Sequence, residues 1–228
     1  IHKFKPRLVL ITGVLPIKRR IFEEIHNHGG HVVNYLTDDP WNPIHKRQSF
    51  ISNLRQYDHI FSTKSTLEER LKQAGVPSTS WLPFAYDPEL HYPVEASIGA
   101  DVAFIGTGAQ ERVPWLRAVA KVPGIERRIY GNSWNSIKVS GWKQYAAVTG
   151  KDYCAAIKGA KVVLGLLRQA NGDQSTDRSY EIGAIGGCGL YQDTDEHRQL
   201  LRNYPDEGFF KNPDELADRV RKVLTDRA

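Results

Sequence analysis

The chain has 228 residues, 40% hydrophobic and 25% charged, with a formal net charge of +5. That length holds one large or two small domains, and the composition is that of an ordinary globular protein. No apolar run approaches the ~20 residues of a membrane span, and Ile1 opens no signal-peptide pattern, so a cytoplasmic protein is expected. Two cysteines, Cys154 and Cys188, leave no disulfide framework and no cysteine-based zinc site. Lys and Arg are dispersed among 26 acidic residues. The densest basic runs, Lys18-Arg19-Arg20 and Arg127-Arg128, are too short for a phosphate track, so no nucleic-acid partner is expected.

Arg7 to Thr12 is a short apolar strand, and Pro16 to His28 follows as a helix stopped by Gly29-Gly30. His31 to Leu36 is the next strand and ends in the acidic turn Thr37-Asp38-Asp39-Pro40. A helix around Ser49 to Gln56 leads to a strand over His59 to Ser62. Ser65 is expected to cap a helix running to Ala74, and Ser80 to Ala85 is a further strand. Repeated β-α-β alternation implies a parallel sheet with helices on its faces. Tyr86 to Gly99 carries prolines and lacks periodicity, which marks a connector.

The alternation then restarts. Asp101 to Ile105 is a strand, Gly106-Thr107-Gly108 a tight turn and Glu111 to Lys121 a helix. Ile125 to Tyr130 is a strand and Asp152 to Gly159 a helix. Lys161 to Leu167 has the apolar, β-branched pattern of a strand covered on both faces. A polar loop through Asn171, Asp173, Ser175 and Thr176 leads to a helix opened by Arg178 and Glu181 and closed by Gly186-Gly187. Cys188 to Gln192 and Gly208 to Phe210 are strands flanking a helix over Asp195 to Leu201. Asn212-Pro213 starts the last helix. The expected architecture is α/β with two Rossmann-like domains, residues 1–90 and 91–228, the first short of its opening strands.

Two stretches of the second half carry candidate chemistry. Gly106-Thr107-Gly108 joins a strand to a helix start, where backbone N–H groups favour a phosphate, and Arg112 lies in that helix's first turn. Arg178 and Glu181 follow a polar loop at the carboxyl end of a strand, where open α/β sheets place ligands. Two guanidiniums suit a diphosphate, and a carboxylate suits sugar hydroxyls. The competing reading is an Arg178–Glu181 surface pair at i, i+3. Trp134 could stack on a base, although a core position is the simpler expectation. No clustered histidine set is present, so no metal or cofactor is expected.

Asp173 and Glu181 are followed by Ile-Gly-Ala-Ile-Gly-Gly-Cys-Gly-Leu-Tyr, and this resembles the acidic-x7-Glu signature of retaining glycosyltransferases of the group 1, family 4 type. Arg178-x-x-Glu181 with Gly186-Gly187, Trp81 to Pro88 and Asp101 to Gly106 resemble the spore-maturation-protein-like branch more closely. The resemblance implies a GT-B fold and transfer of a sugar from a nucleoside diphosphate-sugar, such as a UDP-sugar, to an acceptor that is a glycan, lipid or protein. It implies Asp173 and Arg178 as catalytic groups. It further implies donor contacts from Gly106, Thr107, Gly108, Arg112, Asn171, Ser175, Thr176 and Glu181. This chain departs from the pattern in having Asp at 173, where glutamate is usual, and in lacking the Arg-x4/5-Lys pair after the first strand of the second half. The alternatives are a nucleotide-sugar 2-epimerase of the same fold and a non-catalytic nucleotide-sugar or glycan-binding module.

Overall fold

The computed structural model describes residues 3–43 and 46–225. The chain divides into two compact units, Ile1–Phe84 with Ala170–Asp173, and Ala85–Gln169 with Gln174–Ala228. The division thus falls at 84/85, and a short excursion of the later chain groups with the first unit.

The first unit is a four-stranded parallel sheet of β1 (Leu8–Thr12), β2 (His31–Leu36), β3 (His59–Ser62) and β4 (Thr79–Trp81), in that order. Helices α1 (Arg19–Asn27), α2 (Gln48–Ser52) and α3 (Glu68–Gln73) join successive strands. Every crossover steps the same way across the sheet, so right-handed connections put all three helices on one face. The core follows: Phe22, Ile25, Phe50, Leu54 and Leu71 pack on Ile11, Val32, Leu36 and Ile60. Alternate residues of β1 point the other way, and Leu8 and Leu10 are 61% and 60% exposed. Ser65 opens a 3-10 turn, Ser65–Leu67, and makes no cap to α3, whose first turn is preceded by Leu67.

The second unit is a six-stranded parallel sheet with β5 (Ala100–Ile105), β6 (Arg127–Tyr130), β7 (Lys143–Tyr145), β8 (Ala160–Gly165), β9 (Gly189–Gln192) and β10 (Phe209–Phe210), ordered β10-β9-β8-β5-β6-β7. The chain runs outward from β5 to β7, then returns to β8 on the other side of β5. That reversal places helices on both faces. On one face α4 (Val113–Ala120) and α8 (Pro213–Thr225) cover Val102, Phe104, Val162 and Leu164. On the other, α5 (Gly150–Lys158) and α6 (Arg178–Ala184) cover Ala103, Ile105 and Val163. The last helix between strands, α7, is Asp195–Leu200. Strand β7 escaped sequence reading because its three residues are all exposed and show no alternation.

The segment after Phe84 is anchored to its unit and is no free linker. The Cys154 thiol donates to the Leu90 carbonyl at 3.3 Å, and Gly99 N–H donates to Gly159 O at 2.8 Å. Among the described residues no helix is long and apolar enough to cross a membrane.

The two sheets predict opposite responses to one kind of truncation. Leu164→Ala empties a fully buried site on a central strand and should cost about 2–5 kcal/mol in urea unfolding. Leu10→Ala, on the uncovered face, should cost under about 0.5 kcal/mol. Equal losses would contradict the assignment of the covered face.

Candidate functional site

In the second unit the strand order reverses between β5 and β8, and the helices that follow those two strands lie on opposite faces of the sheet. A cavity of about 180 Å³ opens at the carboxyl ends of the strands, lined by Ile105, Gly106 and Thr107 after β5, Tyr130 to Asn132 after β6, and Tyr153 and Arg178 from the following helices. This is the place where a doubly wound sheet binds ligands.

Glycine is required in the loops for closeness rather than for torsion. A Cβ on Gly108 would lie 2.6 Å from the Ser133 carbonyl oxygen, and one on Gly131 would collide with the Gly106 carbonyl. Trp134 seals the contact, its indole N–H donating to Gly106 O at 2.8 Å while the ring packs edge-on against Phe104. It is 2% exposed, which makes it a core residue and rules it out as a platform for a base. Gly106 N–H and Gly108 N–H are themselves bonded, to Tyr130 O and Asn132 O, so the turn is held by backbone pairing with its neighbour.

The two arginines expected on a diphosphate differ in what holds them. Arg112 is 6% exposed, and its guanidinium donates to Thr107 O at 2.6 Å and Leu166 O at 3.3 Å, over the Phe104 ring. It ties the β5 and β8 loops together, and its terminal nitrogens are turned to the backbone instead of to the cavity. Arg178 lines the cavity. Its side chain is 30% exposed, it makes a long 3.4 Å contact with Asp177, and its buried Nε has no hydrogen-bond partner among the described residues. A guanidinium with an unspent buried donor on a cavity wall suits an anion.

Glu181 is not the surface partner of Arg178. Its Oε2 accepts from the Tyr153 hydroxyl at 2.5 Å, and its Oε1 lies 3.2 Å from His91 Nε2. The Asp87 N–H donates to His91 Nδ1 at 3.1 Å, so in the neutral ring the proton sits on Nε2. Burial pushes the Glu181 carboxyl above its ordinary value, and the Tyr153 hydrogen bond opposes this. Asp177 adds to the rise, while Arg178 and His91 lower it. The same burial raises the Tyr153 phenol.

The start of α6 is fixed from below. Ser175 is buried and donates to Glu196 Oε2 at 2.6 Å, so its hydroxyl serves the scaffold and does not face the cavity. Thr176 N–H donates to Ser179 Oγ at 3.0 Å. The Ser179 hydroxyl lies 2.8 Å from His197 Nε2, and His197 Nδ1 donates to the Gln192 carbonyl at 2.7 Å. That bond sets the tautomer, leaving Nε2 to accept from Ser179. Burial lowers the pKa of His197.

Asn171 and Asp173 belong to the first unit's contacts. The Lys64 ammonium pairs with the Asp173 carboxylate, both side chains being more than nine-tenths buried. Asn171 Nδ2 donates to Asp173 Oδ1 at 2.9 Å and to Asp38 Oδ1 at 3.2 Å. Lys64, Tyr153 and His91 were missed in the sequence. Tyr153 occupies an ordinary inward position of α5, His91 lies in an aperiodic stretch, and Lys64 precedes a turn with no motif around it.

Two tests follow from this geometry. Gly108→Ala should cost about 1–3 kcal/mol through the clash with Ser133, read as a lowered Tm. His197 binds its proton more weakly when folded, so its share of stability is complete above about pH 6.5 and is lost as pH falls below it. Glu181 works in the opposite sense, its raised pKa adding stability as pH falls. His197→Gln should therefore flatten the loss of stability between pH 6.5 and 5, and an unchanged slope would exclude His197 as its source.

The family described as "Glycosyl transferase-like" matches residues 112–228, which includes α4, α5 and α6 and half of the chain. No curated protein matches the sequence. Several solved structures share the fold at low identity. A "putative UDP-N-acetylglucosamine 2-epimerase" from Listeria monocytogenes is 12% identical at TM-score 0.54, over 100% of this chain and 67% of that one. Phage T4 BGT in complex with UDP and Mn2+ is 13% identical at TM-score 0.54, over 98% and 74%. AviGT4, a glycosyltransferase of avilamycin A biosynthesis, is 11% identical at TM-score 0.52, over 96% and 88%. With two parallel-sheet units of GT-B type and a family match across the second, the chain belongs to the glycosyl transferase-like family.

Proposed function

We propose that this protein transfers a sugar from a nucleoside diphosphate-sugar to an acceptor, with retention and without a metal ion, and that the donor's nucleotide occupies the cavity at the β5–β8 reversal. The observation that carries this reading is Arg178: it lines the cavity at the carboxyl ends of the strands with its side chain 30% exposed. In this reading its guanidinium takes the diphosphate and stabilises the charge that develops as the sugar leaves. Glu181 accepts hydrogen bonds from the ribose hydroxyls. UDP is the first nucleotide to test, because T4 BGT, which shares the fold, is known with UDP bound.

Arg112 acts in this scheme as the brace that shapes the Gly106 loop, with no contact to the diphosphate. Ser175 likewise supports α6. Asp173 remains our candidate near the transferred sugar, held by Lys64 and Asn171. The order Arg178-x-x-Glu181, Gly186-Gly187 supports the spore-maturation-protein-like branch as the finer assignment, and the protein is read as cytoplasmic. The epimerase alternative has its own support in the Listeria structure. It uses the same nucleotide contacts and differs in needing no acceptor.

A nucleoside diphosphate at about 100-fold over its Kd should stabilise the protein by about 2.7 kcal/mol. The shift should persist with chelator, which is the informative arm because the T4 BGT complex holds Mn2+. Arg178→Ala should remove most of it. A panel of UDP, GDP, ADP, CDP and TDP without any change in Tm would overturn the donor site. Release of free nucleotide from a UDP-sugar without any acceptor would favour epimerisation.

A further inference from the structure

Three side chains from three separate stretches of the second unit meet beside the cavity: His91 from the segment after Phe84, Tyr153 from α5 and Glu181 from α6. His91 and Glu181 are 17% and 10% exposed, and the His91 and Tyr153 rings meet edge-on with centroids 5.9 Å apart. The Tyr153 phenol donates to Oε2, and the His91 imidazole lies beside Oε1, with Nε2 at 3.2 Å. An ionised carboxylate has about four acceptor positions, so one on each oxygen is left over. Tyr153 also forms part of the cavity wall, on which Arg178 lies.

We propose that His91 and Tyr153 are positioning residues that hold the Glu181 carboxylate ionised and aimed at the cavity, so that its two remaining acceptor positions take the paired hydroxyls of a nucleotide ribose. The inference rests on the nucleotide-sugar reading of this cavity and adds to it the groups that select a ribose. Three features of the geometry support it. The phenol that bonds the carboxylate and the imidazole beside it come from elements other than that of Glu181, so the carboxylate is held from two directions. The Asp87 N–H donates to His91 Nδ1, which orients the ring so that Nε2 faces the carboxylate at 3.2 Å. Tyr153 couples the ring that walls the cavity to the group that would read the ligand, so occupancy of the cavity and alignment of Glu181 are linked through one side chain.

The groups around the carboxyl are known and give the pH dependence its direction. Tyr153 and His91 face it from α5 and the 85–99 segment, and Asp177 and Arg178 from its own helix. Removing the Tyr153 hydroxyl or the His91 ring leaves burial and Asp177 less opposed, so the carboxyl protonates at higher pH. A protonated Glu181 offers one acceptor fewer and turns a donor toward the ribose.

The experiment measures UDP and inorganic diphosphate binding by calorimetry from pH 5.5 to 8, for the parent, Tyr153→Phe, His91→Ala and His91→Gln. Tyr153→Phe keeps the ring wall, and His91→Gln keeps an N–H donor of similar reach. UDP should bind the parent more tightly than diphosphate. Tyr153→Phe and His91→Ala should each weaken UDP roughly tenfold, leave diphosphate within about twofold, and move the pH at which the UDP preference is lost upward. His91→Gln should recover most of the loss. Melting curves identify any variant that has not folded, and the other position then carries the test. A UDP-to-diphosphate ratio and pH midpoint unchanged in both Tyr153→Phe and His91→Ala would overturn the positioning role while leaving the donor site standing. A parent that binds neither ligand would overturn the donor site and this inference together.

Discussion

Right-handed crossover between parallel strands is the constraint on which the rest of this structure depends. In the second unit the chain moves outward from β5 through β6 to β7 and then returns to β8 on β5's other side. Because the hand of each crossover is fixed, reversing the direction of travel moves the helices to the opposite face. The helices that follow β5 and β8 consequently lie on opposite faces, and the cavity at the carboxyl end of the sheet is lined by the β5 and β6 loops with Tyr153 and Arg178. The first unit never reverses its order. Its three helices share one face, and Leu8 and Leu10 on the other remain exposed.

Within that opening, hydrogen-bond accounting separates residues that look alike in composition. Arg112 and Arg178 both lie at the first turn of a helix after a strand. Arg112 is surrounded by carbonyls at the ends of β5 and β8 loops, and its charge is spent on holding them together. Arg178 lines the cavity with its side chain 30% exposed, and among the described residues its ion pair is a long contact with a neighbouring aspartate. Glu181 shows the complementary case. Burial makes its ionised form costly, and the Tyr153 hydrogen bond together with the charges of Arg178 and His91 reduces that cost. A carboxylate supported in this way beside a cavity is more informative than an exposed one, because an exposed carboxylate satisfies itself with water.

Scaffold polar groups show the same economy. Ser175, Ser179 and His197 are buried polar residues beneath α6, and each finds a partner: Glu196, the imidazole and the Gln192 carbonyl. Ser175 had the composition of a ligand-binding loop residue. Its hydroxyl instead helps set where α6 begins, and so where Arg178 and Glu181 stand.

The sequence by itself determined the alternation of strands and helices, because apolar periodicity and glycine stops are local properties. His31–Leu36 and His59–Ser62 were legible to the residue, and α6 was legible from Arg178 and Gly186. It also marked the 171–181 loop as polar and the Gly106 turn as tight. Short elements without a pattern, such as β7 and the 3-10 turn at Ser65, were not legible. Only the tertiary structure decided which arginine is free to meet a ligand, that Glu181 is bonded to Tyr153 and His91, and that Asp173 pairs with Lys64. Those partners are separated by 28, 90 and 109 positions in the chain. Nothing local specifies a bond between them; it exists because crossovers and close-packed glycine loops bring the ends of distant strands to one edge of a sheet.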